Sequence, residues 1–118
     1  MTLITKAQTE QLLANGIAQR AAIDQDAWAL DFKPVVKLFT PDAQCTWLLT
    51  EIDEGTDLAF GLCDLGLDCP ELGYVSLAEL RTVRGKLGLP IERDVHFDAD
   101  KPISAYADEA RTHGHIVT

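Results

Sequence analysis

Residues 34–77, PVVKLFTPDAQCTWLLTEIDEGTDLAFGLCDLGLDCPELGYVSL, decide the fold. Four runs rich in aliphatic, aromatic and β-branched residues, 34–39, 44–52, 58–66 and 72–77, read as strands. The breaks between them carry turn formers: Thr40-Pro41-Asp42, then Asp53-Glu54-Gly55-Thr56-Asp57, then a Gly- and Pro-containing stretch before Leu72. None is long enough to hold a crossover helix, so the runs must be joined as an antiparallel meander. On the second run Cys45, Trp47, Leu49 and Glu51 share one face by alternation, and Thr46, Leu48 and Thr50 the other. Gly61 in the third run marks a bulge or a close backbone approach.

Outward from this block the period changes. Upstream, Thr5 and Gln8 have capping-box spacing, Leu12 and Leu13 supply an apolar edge, and Asn15-Gly16 predicts the end of a first helix, with a further turn or two over 17–23. Residues 24–34 read as a polar connector anchored by Trp28. Downstream, Ser76 and Glu79 form a second capping box, and Leu77, Leu80, Val83 and Leu87 predict a helix over 76–88. Residues 89–97 predict a fifth extended piece, and 98–114 a last helix with Pro102 in its first turn and a loose tail beyond it. The expected fold is α+β, one domain over 1–118: a four- to five-stranded, mainly antiparallel sheet with an N-terminal helix and two C-terminal helices packed on it. Trp47, Leu49, Phe60, Leu62, Tyr74, Val75, Leu77, Leu80 and Val83 are the expected core.

Composition narrows the function classes. The chain has 118 residues, 47% of them hydrophobic, enough for one compact core without a metal or a disulfide. Nineteen acidic residues against ten basic give a formal charge of −9, which disfavours direct duplex DNA binding and suits a basic protein surface, including one that normally holds nucleic acid. The same charge also serves solubility. Cys45, Cys63 and Cys69 have no zinc-site spacing and read as buried thiols in a reducing compartment. The N-terminus shows no basic segment followed by an apolar one, and no apolar run approaches the ~20 residues of a membrane span, so the expected location is cytoplasmic.

The order and spacing of Lys37-Leu38-Phe39-Thr40-Pro41, Thr46-Trp47-Leu48-Leu49, Phe60-Gly61-Leu62-Cys63-Asp64 and Glu71-Leu72-Gly73-Tyr74-Val75 resemble a bacterial family catalogued as domain of unknown function twenty-nine fifty-eight. The likeness covers residues 34–110, and the leading 3–16 look similar too. It implies a small α+β domain carried by plasmids, phages and other mobile elements, and assigns no catalytic residue.

Two groups of residues are chemically suggestive. Asp94, His96, Asp98 and Asp100 fall at every second position of RDVHFDAD (93–100). On a strand, neighbouring pairs could share a proton or a cation, but residues two apart are about 6–7 Å apart along the chain, so four cannot meet at one ion. Interleaved Val95 and Phe97 favour a wet face opposite a buried one. His113 and His115 flank Gly114 and could bind a transition metal weakly. The second group is acidic: Glu51, Asp53, Glu54 and Asp57 at one hairpin, Asp64, Asp68 and Glu71 at a later connection. Hairpin connections alternate between sheet ends, and counting the later one as the next but one puts both groups at the same end, as one rim of seven carboxylates. The favoured expectation is therefore an acidic, non-enzymatic interaction protein of a mobile genetic element. Its partner would be a basic surface on a host or plasmid protein, for instance where it inhibits host defence (anti-CRISPR or antirestriction), with no cofactor and no metal. The alternatives are a small metal-dependent or acid/base enzyme using Asp94, His96 and Asp98, and a plasmid replication or partition adaptor that meets DNA through Arg81, Arg84 and Lys86.

Overall fold

The structure is a computed structural model that describes residues 2–118. Its elements in chain order are α1 (Lys6–Asp24), β1 (Val36–Phe39), β2 (Thr46–Ile52), β3 (Leu58–Asp64), β4 (Glu71–Ser76), α2 (Leu77–Leu80), β5 (Glu92–Arg93) and α3 (Ile103–His113). The strands form one sheet in the order β4-β3-β2-β1-β5, with every neighbouring pair antiparallel. The meander expected of residues 34–77 is thus present, and the fold is α+β.

β2 sits at the centre and is buried from Trp47 to Ile52. On one face Trp47 and Leu49 pack with Val36, Leu38, Ala59 and Leu12 of α1. On the other, Leu48 and its cross-strand partner Leu62 pack with Ile103, Tyr106, Ala107 and Ala110 of α3. A strand covered on both faces needs a continuous apolar run, which is what 47–49 supplies. The run is then broken by a bulge: Leu49 faces Gly61 but Glu51 faces Phe60, leaving Thr50 as the extra residue. The bulge shifts the alternation, so Ile52, rather than Glu51, joins the Trp47–Leu49 cluster.

α1 begins as its sequence dictates, with Thr5 and Gln8 satisfying each other's backbone N–H groups. It does not end at Asn15-Gly16. The Asn15 amide is buried and donates to the Thr50 carbonyl at 2.9 Å, and a Cβ on Gly16 would lie 1.8 Å from the Ile52 carbonyl oxygen. Gly16 therefore lets helix and strand backbones meet, a demand that sequence spacing cannot distinguish from a helix cap. The connector after α1 is held by Asp31 and Phe32, not by Trp28, which is 92% exposed. The Phe32 carbonyl accepts from the Ile103 N–H, and the Asp31 carboxylate accepts from the Ser104 N–H and hydroxyl, capping α3 across 73 residues.

The predicted helix over 76–88 is also shorter than expected. Ser76 accepts from the Glu79 N–H, but α2 ends after one turn at Leu80. The chain then folds back, with Arg84 bridging to Pro90 and the Asp42 carboxylate accepting from the Leu87 and Leu89 N–H groups. Gly85 packs against that carboxyl, where a Cβ would collide with it at 1.7 Å. β5 stops at Arg93, and Asp94 starts a turn in which its side chain accepts from the His96 N–H. Val95 is accordingly 65% exposed rather than core-facing, and Tyr74, also expected in the core, is 60% exposed on β4.

Replacing Gly16 with Ala tests the close approach. Helix propensity favours Ala by about 1 kcal/mol, yet the added carbon meets backbone that cannot swing aside, so a net loss of about 1–3 kcal/mol is expected in chemical denaturation. Gly73→Ala, where a Cβ meets nothing within 4 Å, should change stability by no more than about 0.5 kcal/mol.

Candidate functional site

The seven predicted acidic residues do not form one rim. β2 and β3 pair with Ile52 opposite Ala59 at one end and Thr46 opposite Asp64 at the other. The 53–57 turn and the 65–70 loop are consecutive connections of the meander, so they lie at opposite ends, roughly 20 Å apart for the seven-residue length of β3. The same-end expectation is overturned by this parity.

Four of the seven are also used inside the molecule. Glu51 is buried, 6% exposed, and accepts from the Thr50 hydroxyl at 3.2 Å and the Gln19 amide at 3.5 Å. Burial raises its carboxyl above the ordinary range, against the opposing pull of the Gln19 and Thr50 hydrogen bonds. Asp53 pairs with Arg20 at 2.7 Å, and this hydrogen bond raises the guanidinium further. Asp57 accepts from the Ser76 hydroxyl at 2.7 Å and the Ala78 N–H at 3.2 Å, which lower its carboxyl, the Ser76 bond most. It thereby satisfies a backbone donor in the first turn of α2 that the helix itself leaves unpaired. Asp64 is 3% exposed and accepts from the Gly66 N–H at 2.9 Å and the Ile116 N–H at 3.0 Å.

Glu54, Asp68 and Glu71 are exposed, and their carboxylates accept no hydrogen bond among the described residues. Asp68 and Glu71 belong to one segment. Asp68 adopts a left-handed backbone, φ 62°, which turns the loop before Pro70 and β4. Leu65 and Leu67 in the same loop are 56% and 71% exposed, and Leu72 follows at 38%. This pairing of bare leucines with free carboxylates escaped the sequence reading, in which alternating Leu, Gly and Asp looked like strand end and turn. The only sequence signal was three leucines among the turn formers of 65–72.

The Asp94, His96, Asp98, Asp100 row is dissolved by the turn at 94–96. Asp94 also lies 3.5 Å from the Lys37 ammonium, and Asp100 accepts from the Tyr106 hydroxyl. Among the described residues no three His, Cys, Asp or Glu side chains converge as metal ligands would. Lys37 and Asp94 stand between two open grooves of about 510 and 450 Å³, the first reaching Asp64 and His115, the second His96 and Lys101. The tail beyond α3 is docked rather than loose: the Lys37 ammonium donates to the Thr118 hydroxyl at 2.5 Å, and Ile116 packs on the α3 cluster. The His113 and His115 rings are 6.2 Å apart. Of the expected DNA-facing cations, Arg81 caps α2 while Arg84 turns back onto the Arg81 and Val83 carbonyls, so with Lys86 they line no single helix face. Cys45 and Cys63 are half-buried, and burial pushes the Cys63 thiol up to about 11, which keeps it protonated at neutral pH. Cys69 is exposed, contrary to the expectation of three buried thiols.

An antiparallel sheet with β2 buried on both faces and a free acidic-apolar loop at one end defines a small α+β class. The chain belongs to the family described as protein of unknown function (DUF2958), whose match spans residues 3–117. No curated protein and no solved structure is recognisably similar to it. No helix among the described residues is long and apolar enough to cross a membrane.

Two substitutions separate the internal acids from the free ones. Asp64→Ala strands two backbone N–H groups, so a loss of about 2 kcal/mol is expected, with faster hydrogen exchange at Ile116. Glu51→Gln addresses pH. The folded protein binds a proton at Glu51 that the unfolded chain has already released, so stability falls as pH rises from the ordinary carboxyl value through the raised one. The Gln variant lacks that component and gains on the native protein as pH rises. Denaturant midpoints from acidic to neutral pH check this, and parallel curves for the two proteins refute it.

Proposed function

We propose that this protein acts by binding rather than by catalysis. Its ligand is a basic surface of a nucleic-acid-binding protein, supplied by the bacterial host or by the plasmid or phage that carries the gene. The observation that supports this is the 65–72 segment, where exposed Leu65, Leu67 and Leu72 stand beside the unpaired carboxylates of Asp68 and Glu71. Protein interfaces have this anatomy, an apolar centre rimmed by polar and charged groups. The formal charge of −9 favours approach to a cationic partner and disfavours nucleic acid itself. In this reading the chain occupies a groove that a phosphate backbone would otherwise fill, in the cytoplasm, as an inhibitor of a host-defence effector would. Glu51, Asp53, Asp57 and Asp64, once grouped with the binding acids, belong to the scaffold, and Glu54 stands apart at the opposite end.

Affinity capture with the intact chain tests the reading. A basic partner captured by the native protein should be released by raised salt, and Asp68→Lys/Glu71→Lys should weaken capture by about tenfold or more while Glu54→Lys does not. Undiminished capture by the double reversal would remove the assignment.

A further inference from the structure

We propose that the partner is held by strand addition: an extended segment bearing lysine or arginine pairs with the free edge of β4. This rests on the binding reading above and specifies its partner. β4 is an outer strand of the sheet. The Leu77 N–H donates to the Asp57 carbonyl, so Asp57 and Leu77 are a hydrogen-bonded pair of the β3–β4 ladder. Alternation then makes Ala59–Val75 and Gly61–Gly73 bonded pairs, and Phe60–Tyr74 and Leu62–Leu72 non-bonded ones. The N–H and C=O groups of Leu72 and Tyr74 therefore point away from the sheet. No hydrogen bond from any described residue reaches them. An edge of this kind is a template for another strand unless it is short, bulged, covered or blocked by charge or proline. β4 runs six residues in unshifted register with β3 and is exposed or half-exposed throughout.

Side chains on that edge say what fits. Leu72 and Tyr74 share one face, with Tyr74 edge-on to Phe60 at 5.2 Å, an apolar strip for alternate side chains of an added strand. Carboxylates lie along the same edge: Glu71 at the start of β4, on the face opposite Leu72 and Tyr74, Glu79 just beyond its end, and Asp24 on the α1 turn that shares a groove with Tyr74, while Asp68 precedes the strand and lines the groove of Lys37, Asp64 and Asp94. The cation in that groove, Arg20, is already paired with Asp53. A second copy of this chain would bring the same acids and another formal −9 to the edge, which argues against self-pairing and for a cationic segment.

The probe is an end-capped heptapeptide alternating lysine and valine, titrated against the whole protein. Saturable binding is expected, with slowed hydrogen exchange at the Leu72 and Tyr74 amides and no binding of the glutamate–valine counterpart. N-methylation of the peptide amides that would face β4 removes its donors without touching the protein. Tyr74→Pro removes an outward N–H that the β3–β4 ladder does not use. Each should weaken binding by about tenfold or more. If binding survives both changes but is lost in Asp68→Lys/Glu71→Lys, strand addition is wrong and the charge-based reading stands. If the basic peptide does not bind at all, the edge is not its site. If the Leu72 and Tyr74 amides are already protected in the protein alone and Tyr74→Pro splits a dimer, the occupant is a second copy and the proposal falls.

Discussion

Leu48 and Leu49 are neighbours on β2, and both are fully buried. Adjacent strand residues point to opposite faces, so this pair commits the sheet to a cover on each side. The covers are unequal. On the Leu48 side α3 docks with small residues, Ala107 and Ala110, in close contact. On the Leu49 side α1 contributes Leu12, then runs on until its Gly16 meets the Ile52 carbonyl. The Thr50 bulge joins the two arrangements, since its carbonyl receives the Asn15 amide and its hydroxyl donates to the Phe60 carbonyl. Bulge, buried Asn and helical Gly form one joint, and none of the three has a local explanation.

Turns and helix starts account for how the chain uses its acids. A sheet with short connections leaves many backbone N–H groups at turns and helix starts, and unpaired ones are costly when sheltered from water. Asp31 answers this need at α3, Asp42 at the 87–89 turn, Asp57 at α2, and Asp64 at both its own loop and the C-terminal tail. Each of the first three serves an element remote in sequence, and Asp64 reaches the tail from 52 residues away. A carboxylate that accepts from backbone is no longer free to meet a partner's cation at full strength. Part of the acidity that composition presents as surface charge is therefore internal, and the distinction sets Glu54, Asp68 and Glu71 apart from the other four candidates.

What the sequence made legible was whatever its own neighbours determine. The meander followed from turns too short for a crossover, and the Thr5–Gln8 box from a contact three residues long. Three of the departures involve a residue type that two mechanisms demand. Gly16 serves equally as a helix cap or a close-approach glycine, and only Ile52, 36 positions on, decides. Asp94 at the head of an alternating row is consistent with a strand face or an Asx-type turn, and the short β1–β5 pairing decides. Ser76 announces a helix start correctly but cannot say where the helix stops, because Asp42 and Gly85 set that across the fold. The acidic rim failed for a topological reason, since consecutive turns of a meander cannot share an end.

The same topology leaves the β4 edge unlike its opposite. At the other margin β5 is two residues long, and the Arg93 guanidinium donates to the Thr2 and Leu3 carbonyls, so the N-terminal segment is tied down there. Among the described residues, none hydrogen-bonds to the outward edge of β4 in this way. Its N–H groups alternate inward and outward, and the outward ones at Leu72 and Tyr74 fall along the chain between Glu71 and Glu79. Charge at the ends of an edge discourages like-charged chains and leaves its centre open to an opposite one. Strand geometry and electrostatics thus select the same class of partner at the same place, although one arises from backbone direction and the other from side-chain charge.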